Sequence, residues 1–415
     1  MDVSTLILSS YQRLIVGYTA DRMHQAMRQF FCWTALPAVL LVAGCVENPP
    51  ADSARMESAS AVDSLLQSLR QQHDLPAMAA AVIRSDTIFL SATGVRRKGT
   101  NASVSPSDKF YIASNGKAVT ATAIAYLVEE EELSWSMTPV DVWPNMADSI
   151  HPDLREITLE QLLSHRAGIP PYTSWDSPWD SPSSFSEVTD ENEAFSKHLL
   201  QKEPKYSPGS KFLYSNAGYA IAAEIAEAAT GASLEQTVHR HLFQSLDVQG
   251  GYGRPAARDS TQPWGHWKQG GDTLRVSDPG EPYKPGEVGV AAGDMHMTVS
   301  GYARFLQLHL RGLRNEETKL LSPTAIQNLH ESRGAMADSA GAPGYALGWA
   351  VQQDFQGAQS SRHSGSGGRF KVTAAIQPTH NLAVAVLTNA GGREADQAVD
   401  TALTVLLNRY SNTKK

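Results

Sequence analysis

The stretch FYIASNGKAVTATAIAYLV, residues 110–128, joins a short apolar run to a predicted helix through a polar junction. The helix is expected over residues 118–128, which are almost all apolar or small. Ser114 and Lys117 stand three residues apart at its first turn, so their side chains project from the same face. A serine becomes a good nucleophile when a base takes its proton, and a lysine whose pKa is lowered by burial can help to do this. The junction therefore predicts an activated serine beside backbone N–H groups that suit a developing oxyanion.

The same Ser-x-x-Lys spacing recurs at Ser411 and Lys414, so the motif alone has little specificity. The second copy lies in what reads as a polar C-terminal tail, with no apolar helix after it to bury the lysine. Context therefore favours Ser114.

Two further short motifs carry groups that can take part in acyl transfer. Tyr214 and Asn216 precede a predicted helix over residues 219–229, and the phenol is able to relay a proton while the amide holds a substrate carbonyl or amide. His363-Ser364-Gly365-Ser366 comes directly before a predicted strand, where an edge of small residues can pair with a bound acyl group. Taken separately, a packed loop tyrosine and a solvated loop histidine are the ordinary interpretations.

The order of the three motifs resembles that of the serine β-lactamases and D-alanyl-D-alanine carboxypeptidases of the class C type. Residues 162–168 (LLSHRAG) and 344–349 (GYALGW) are similar to two further segments of that family, and the resemblance runs from about Val62 to the C-terminus. It implies an α/β fold, with an antiparallel sheet flanked by helices and an inserted helix-rich subdomain.

The resemblance also implies roles for the residues at and around the nucleophile. Ser114 would be the nucleophile, Lys117 its proton partner, and Tyr214 the base in acylation and later the activator of the deacylating water. The backbone N–H groups of Ser114 and Ser366 would form the oxyanion hole. His165 would be structural.

The substrate-binding group implied by the resemblance is Asn216 for an amide side chain, with His363, Ser364 and Gly365 along the strand edge. His363 and Ser364 would face a substrate carboxylate or polar head. Related β-lactamases have Lys-Thr-Gly here, so an imidazole that is largely neutral near pH 7 replaces a permanent ammonium. Arg362 and Arg369 are candidates to restore a cation.

This departure favours an enzyme of the carboxypeptidase or esterase type acting on a small-molecule or peptidoglycan-derived acyl substrate. A β-lactamase is the alternative within the family. A non-catalytic, envelope-anchored protein that binds peptidoglycan is the alternative from another class, although intact Ser114, Lys117 and Tyr214 argue against it.

The two ends of the mature chain are predicted to build one α/β part. Apolar runs at 78–83 and 87–92 indicate one β-hairpin, and runs at 370–376 and 382–388 indicate another. Amphipathic helices are expected over 61–71 and 398–407. We therefore expect a domain over 61–415, with 61–110 and 290–415 forming the α/β part and 111–289 the helical part.

Composition excludes several other classes of protein. The formal net charge is −8, with 35 basic and 43 acidic residues, which argues against nucleic acid as a partner. No Gly-x-Ser-x-Gly elbow and no P-loop is present, and the 13 histidines are scattered without metal-ligand spacing. We expect neither a metal nor a cofactor.

The N-terminus indicates export and lipid anchoring. The apolar run of residues 30–42 has the length of a signal-peptide core, and Val-Ala-Gly-Cys at 42–45 resembles a lipobox in which Cys45 is lipidated. An ordinary cleavage site with a chance cysteine is the alternative. We expect a signal peptide over 1–44, with Met23 or Met27 as the alternative true start, and a lipid-anchored linker over 45–60. Val46 favours the periplasmic face of the outer membrane in a bacterial envelope.

Overall fold

A computed structural model describes residues 51–173, 191–268, 274–280, 289–353 and 359–411, with side chains from residue 60 onward. The predicted signal peptide, Cys45 and a duplicated Trp-Asp-Ser-Pro segment at 175–182 lie outside the described residues. Within the described ranges, no helix is both long enough and apolar enough to cross a bilayer.

The strands are β1 Ala77–Ile83, β2 Ile88–Gly94, β3 Lys109–Tyr111, β4 Gly250–Tyr252, β5 His266–Lys268, β6 Leu274–Val276, β7 Met295–Thr298, β8 Gly344–Tyr345, β9 Ala350–Gln353, β10 Gln359–Ser366, β11 Lys371–Gln377 and β12 Leu382–Thr388. The α-helices are α1 Ala51–Gln72, α2 Gly116–Glu129, α3 Pro139–Val142, α4 Leu159–Leu163, α5 Glu191–Leu200, α6 Asn216–Thr230, α7 Leu234–Thr237, α8 Pro255–Arg258, α9 Gly289–Ala292, α10 Val299–Leu313, α11 Pro323–Leu329 and α12 Arg393–Ser411. Single turns of 3₁₀-helix occur at Ala113–Asn115, Pro144–Met146, Pro152–Leu154 and Pro378–His380, and Val238–Phe243 is a π-helix.

A seven-stranded antiparallel sheet in the order β2-β1-β12-β11-β10-β9-β8 forms the body of the fold. Both predicted hairpins are present, as β1 with β2 and as β11 with β12. Because β1 pairs with β12, the two ends of the chain share this sheet. The segment 111–289 contributes helices α2 to α8 but also the short strands β4 to β6, which the sequence did not predict.

The centre of the sheet is buried on both faces. One face packs against Leu66 of α1 and against Val399 and Leu403 of α12, and the last two are four residues apart, as expected for one face of a helix. The opposite face packs against a larger core that includes α2 and α10. Every residue of β1 and β12 is buried, as is typical of strands covered by helices on both sides.

A second sheet, in the order β3-β7-β4, positions the segment that begins at residue 112. The backbone N–H of Ile112 continues its pairing by donating to the carbonyl of Met295 at 2.9 Å. The chain then turns through the 3₁₀ segment into α2.

The sequence suggested that Ser411 lies in a polar C-terminal tail, but the structure places it in a helix. It is the last residue of α12, and its hydroxyl lies 2.7 Å from the carbonyl oxygen of Leu407 and 3.0 Å from Oε1 of Gln377, either of which can accept its proton. The helix continues four residues past the predicted end because its apolar stripe still reaches the sheet at Tyr410. Lys414 lies outside the described residues.

Candidate active site

Ser114 lies in the tight turn between β3 and α2 and is half-buried. Ala113 before it has φ +48°, a left-handed conformation that is costly for a residue with a side chain, roughly 1–3 kcal/mol. Gly293 packs directly on this turn, since a Cβ there would lie 2.2 Å from the carbonyl oxygen of Ala113. The turn is therefore held in place by a close backbone contact and presents Ser114 at the start of the helix.

Lys117 is the second residue of α2 and is fully buried. Its Nζ donates to Oδ1 of Asn216 and to the carbonyl of Ala292, each at 2.7 Å. No described carboxylate pairs with it, and burial lowers the pKa of the amine well below its ordinary value. A neutral amine has two N–H donors and one lone pair, so these two acceptors leave the lone pair available as a base.

Tyr214 joins this pair from a segment about a hundred residues away. Its hydroxyl lies close enough to Ser114 for that side chain to influence the pKa of the phenol, and Nζ of Lys117 lies 4.8 Å from the centre of its ring. Desolvation by the surrounding protein raises the pKa of Tyr214 to about 12, so the phenol carries its proton at neutral pH. The structure thus brings Ser114, Lys117 and Tyr214 together.

Asn216 is the first residue of α6, and the helix begins there because the side chain of Ser215 accepts the backbone N–H of Gly218 at 2.9 Å. The amide Nδ2 of Asn216 donates to the carbonyl of Tyr172 at 2.9 Å, while Oδ1 is taken by Lys117. One N–H of this amide remains for a substrate, so Asn216 holds the lysine as well as lining the site.

The strand edge of β10 lies against the nucleophile turn. A Cβ at Gly365 would stand 2.3 Å from the carbonyl oxygen of Ile112 and 3.0 Å from the backbone nitrogen of Ser114, so only glycine permits this approach. The backbone N–H of Gly367 donates to the carbonyl of Phe370, and hydrogen-bonded pairs alternate in antiparallel strands, so the N–H of Ser366 is directed away from β11.

The pairing of β9 with β10 covers residues 359–362, so within the described chain the edge of 363–366 has no strand partner. Ser364 and Ser366 are exposed along this edge, and the hydroxyl of Ser364 is 3.1 Å from that of Thr373. An extended acyl group can add to an edge of this kind through main-chain hydrogen bonds.

His363 is 7% exposed, and both of its ring nitrogens have partners. Nδ1 donates to the carbonyl of Ser364 at 3.1 Å, which leaves Nε2 to accept from the hydroxyl of Tyr345 at 3.2 Å. Burial lowers the pKa of His363 to about 3. A substrate carboxylate would have to displace one of these partners, so the structure does not present His363 as the ready carboxylate donor that the resemblance implies.

Neither neighbouring arginine replaces the missing cation. Arg362 precedes His363 on β10, so the two side chains point to opposite faces of the sheet, and Arg362 interacts electrostatically with Asp400 of α12. The guanidinium of Arg369 lies 4.3 Å from the centre of the Trp267 ring and also donates to the hydroxyl of Ser277.

His165 lies behind the site. Its Nδ1 accepts the backbone N–H of Ser215 at 3.1 Å, and its ring lies 4.3 Å from that of Tyr214 and 4.7 Å from that of Tyr345. This packing fixes the loop that carries Tyr214.

Sequence reasoning missed two contributors: the carbonyl of Ala292 and the hydroxyl of Tyr345. Every residue has a carbonyl, so no signal marks the one at Ala292, whereas Tyr345 lies in a segment already similar to the family. Within the described ranges, no group of three or more His, Cys, Asp or Glu side chains is placed to hold a metal ion.

Comparison with known proteins places this geometry in context. Residues 62–409 match the family model described as Beta-lactamase. Penicillin-binding protein 4 of Amycolatopsis lactamdurans is 27% identical over 331 residues, which cover 78% of this chain and 83% of that protein. Protein flp of Staphylococcus aureus strain MW2 is 24% identical over 363 residues, which cover 86% of this chain and 68% of that protein.

Solved structures agree with the fold. The octameric penicillin-binding protein homologue from Pyrococcus abyssi superposes with a TM-score of 0.69 at 22% identity, covering 85% of this chain and 78% of that one. A class C β-lactamase from Rhodobacter sphaeroides gives a TM-score of 0.66 at 19% identity, covering 84% of this chain and 99% of that one. The predicted fold class, an antiparallel sheet flanked by helices, is confirmed.

Proposed function

The chain belongs to the β-lactamase family, whose penicillin-binding-protein-like members are serine hydrolases, and we propose that it forms an acyl-enzyme at Ser114 and hydrolyses acyl esters that carry no carboxylate. The observation that supports this most directly is that Tyr214 and Lys117 lie beside the turn that carries Ser114. Lys117 is buried there and is held by hydrogen bonds to Asn216 and Ala292.

In the proposed acylation step, the hydroxyl of Ser114 attacks the ester carbonyl. Its proton passes to the hydroxyl of Tyr214, which gives its own proton to the neutral amine of Lys117. The lowered pKa of Lys117 favours an unprotonated amine that has a lone pair for the proton, and the raised pKa of Tyr214 keeps the phenol protonated, so the phenol gives up its proton only as it receives the one from Ser114. The returning proton then leaves with the alcohol, and water repeats the sequence on the acyl-enzyme.

The developing oxyanion is proposed to lie between the backbone N–H groups of Ser114 and Ser366. The close approach at Gly365 supports this, because it brings the strand edge to the nucleophile turn. Removing one such donor typically costs about 10²–10³-fold in rate. The free edge of residues 363–366 would align the acyl chain.

The choice of ester rests on charge. A carboxypeptidase or a β-lactamase acts on a substrate that carries a carboxylate, and charge-assisted hydrogen bonds are roughly twice as strong as neutral ones. Here His363 is neutral and already bonded to Tyr345, and Arg362 and Arg369 have other partners. The site therefore offers a neutral, partly apolar surface to that end of the substrate.

The test is a hydrolysis panel with p-nitrophenyl acetate and butyrate, nitrocefin, and a peptide ending in D-Ala-D-Ala. We expect kcat/KM for the esters to exceed that for the carboxylate-bearing substrates by at least about tenfold, the difference of one charge-assisted bond. Equal or greater activity on nitrocefin or on the peptide would contradict the ester assignment while leaving the acyl-enzyme intact.

A single substitution sharpens the test. His363→Lys places a cationic side chain where related β-lactamases have one, so the ratio of carboxylate to ester activity is expected to rise about tenfold. An equal change for both substrate types would show that His363 acts in the common acyl-transfer step instead.

A further inference from the structure

A cavity of about 280 Å³ opens beside β4 and β7. None of the residues that line it belongs to the candidate active site, so the nucleophile and its partners leave it unexplained. Four of its residues carry charge at neutral pH: Lys109, Arg258, Glu235 and Asp259.

Two cations meet at this cavity without an ion pair to either within the described chain. Nε of Arg258 donates to the backbone carbonyl of Tyr252 at 3.0 Å, which directs the guanidinium but leaves its terminal nitrogens without a carboxylate. Lys109 lies on the neighbouring strand. Asp259 is near enough to interact electrostatically with Lys109, but the two form no ion pair, and its carboxylate accepts from the hydroxyl of Thr261 at 2.7 Å and from Gln262 at 3.3 Å. The pair therefore suits an added carboxylate.

The cavity also contains acceptors that lack a donor. His296 is 4% exposed, and its Nδ1 donates to the carbonyl of Gly253 at 2.8 Å. Burial lowers the pKa of His296 to about 4, so the ring is neutral near pH 7 and Nε2 has an unshared electron pair. The carboxylate of Glu235 lines the same space, and the hydroxyl of Tyr252 has no partner among the described residues. These groups suit an added ammonium.

Gly251 keeps this acceptor open. A Cβ there would lie 3.1 Å from Nε2 of His296, and the only atoms it would meet within 4 Å belong to that imidazole. The backbone of Gly251 does not adopt a left-handed conformation, so folding does not require glycine at this place. Because Gly251 has no side chain, space remains beside His296.

We propose that this cavity binds a small zwitterion, a free α-amino acid, with its carboxylate on Lys109 and Arg258 and its ammonium on His296 and Glu235. The volume fits such a ligand, since pockets for drug-sized molecules are generally larger, about 300–1,000 Å³. The proposal concerns binding alone and is independent of the activity proposed for Ser114.

Isothermal titration of the full-length protein with D-alanine and with L-alanine tests the proposal. We expect a Kd of about 1 mM for at least one of them, as is reasonable for so few contacts. Acetate and ethylamine, which each carry only one of the two charged groups, are expected to bind at least about tenfold more weakly. Alanine binding that is no tighter than that of acetate would overturn the proposal.

Two variants locate the site. Gly251→Ala fills the space beside His296, and Lys109→Met removes one cation, so each should weaken alanine binding at least about tenfold. Lys205→Met, an exposed lysine outside the cavity, is the matched control and should bind as the wild type does. Thermal unfolding checks that each variant is folded. Wild-type affinity in folded Gly251→Ala or Lys109→Met would refute the assignment.

Discussion

Gly365→Ala probes the contact that joins the strand edge to the nucleophile. The new Cβ would lie 2.3 Å from the carbonyl oxygen of Ile112, and a real contact needs at least 3.0 Å, so the strand or the turn must separate by about 0.7 Å. Both partners are backbone, so neither can avoid the clash by changing rotamer. A displacement near 1 Å at a reacting group costs about 10²-fold, and loss of one oxyanion donor costs about 10²–10³-fold. We therefore expect kcat/KM to fall by about 10²–10³, roughly 2.7–4 kcal/mol in transition-state stabilisation.

The assay is steady-state hydrolysis of p-nitrophenyl butyrate, with urea unfolding of the same preparations. Gly312→Ala is the control, because its Cβ would lie 2.3 Å from Cδ1 of Ile326, between α10 and α11 and outside the candidate active site. Each substitution overpacks the core and should lower the free energy of unfolding by about 1–3 kcal/mol. Only Gly365→Ala should lose activity. A folded Gly365→Ala that hydrolyses the ester within about fivefold of the wild type would refute the reasoning, as would an equal loss in Gly312→Ala.

Four further changes have expected outcomes. Ser114→Ala should abolish turnover and labelling by a fluorophosphonate, whereas Ser411→Ala should change neither, and a tenth of the activity remaining in Ser114→Ala would exclude it as the nucleophile. Lys117→Met should also lose turnover but raise the melting temperature at pH 7, because burial lowers the pKa of the native amine below that of the unfolded lysine and so opposes folding at this pH; a lower melting temperature would contradict this. Burial lowers the pKa of His309 to about 3, so the protein loses stability as the pH falls below about 6.5, where the unfolded histidine binds a proton. His309→Gln should therefore reduce the loss of unfolding free energy between pH 7 and 4.5 by about 2 kcal/mol, measured by urea unfolding. An unchanged loss would contradict this. Cys45→Ser should release the protein from the membrane fraction, and a variant that still sediments with membranes would rule out the lipid anchor.

The sequence by itself determined the parts of this protein that repeat along the chain or lie within one turn. The runs at 78–83 and 382–388 are almost entirely apolar over six and seven residues, which is enough to mark strands, and both appear in the central sheet. Ser114 and Lys117 are placed by a single helical turn, so their spacing fixes their shared face. The order of motifs then indicated the family, and the match over residues 62–409 confirmed it.

Only the tertiary structure decided which groups each of these residues meets. The carbonyl of Ala292 that holds Lys117 lies 175 residues further along the chain, and backbone carbonyls have no sequence signature. Strands of three residues such as β3 and β4 are too short for a period, so neither the second sheet nor the cavity beside it was predictable. His363 was identified from its motif, but its burial and its bond to Tyr345 depend on how two distant strands pack. Local sequence patterns indicate which face of a helix or strand a side chain lies on. Burial and hydrogen bonding arise only when segments far apart in the chain come together, and they are what shift the pKa of His363 and of Lys117.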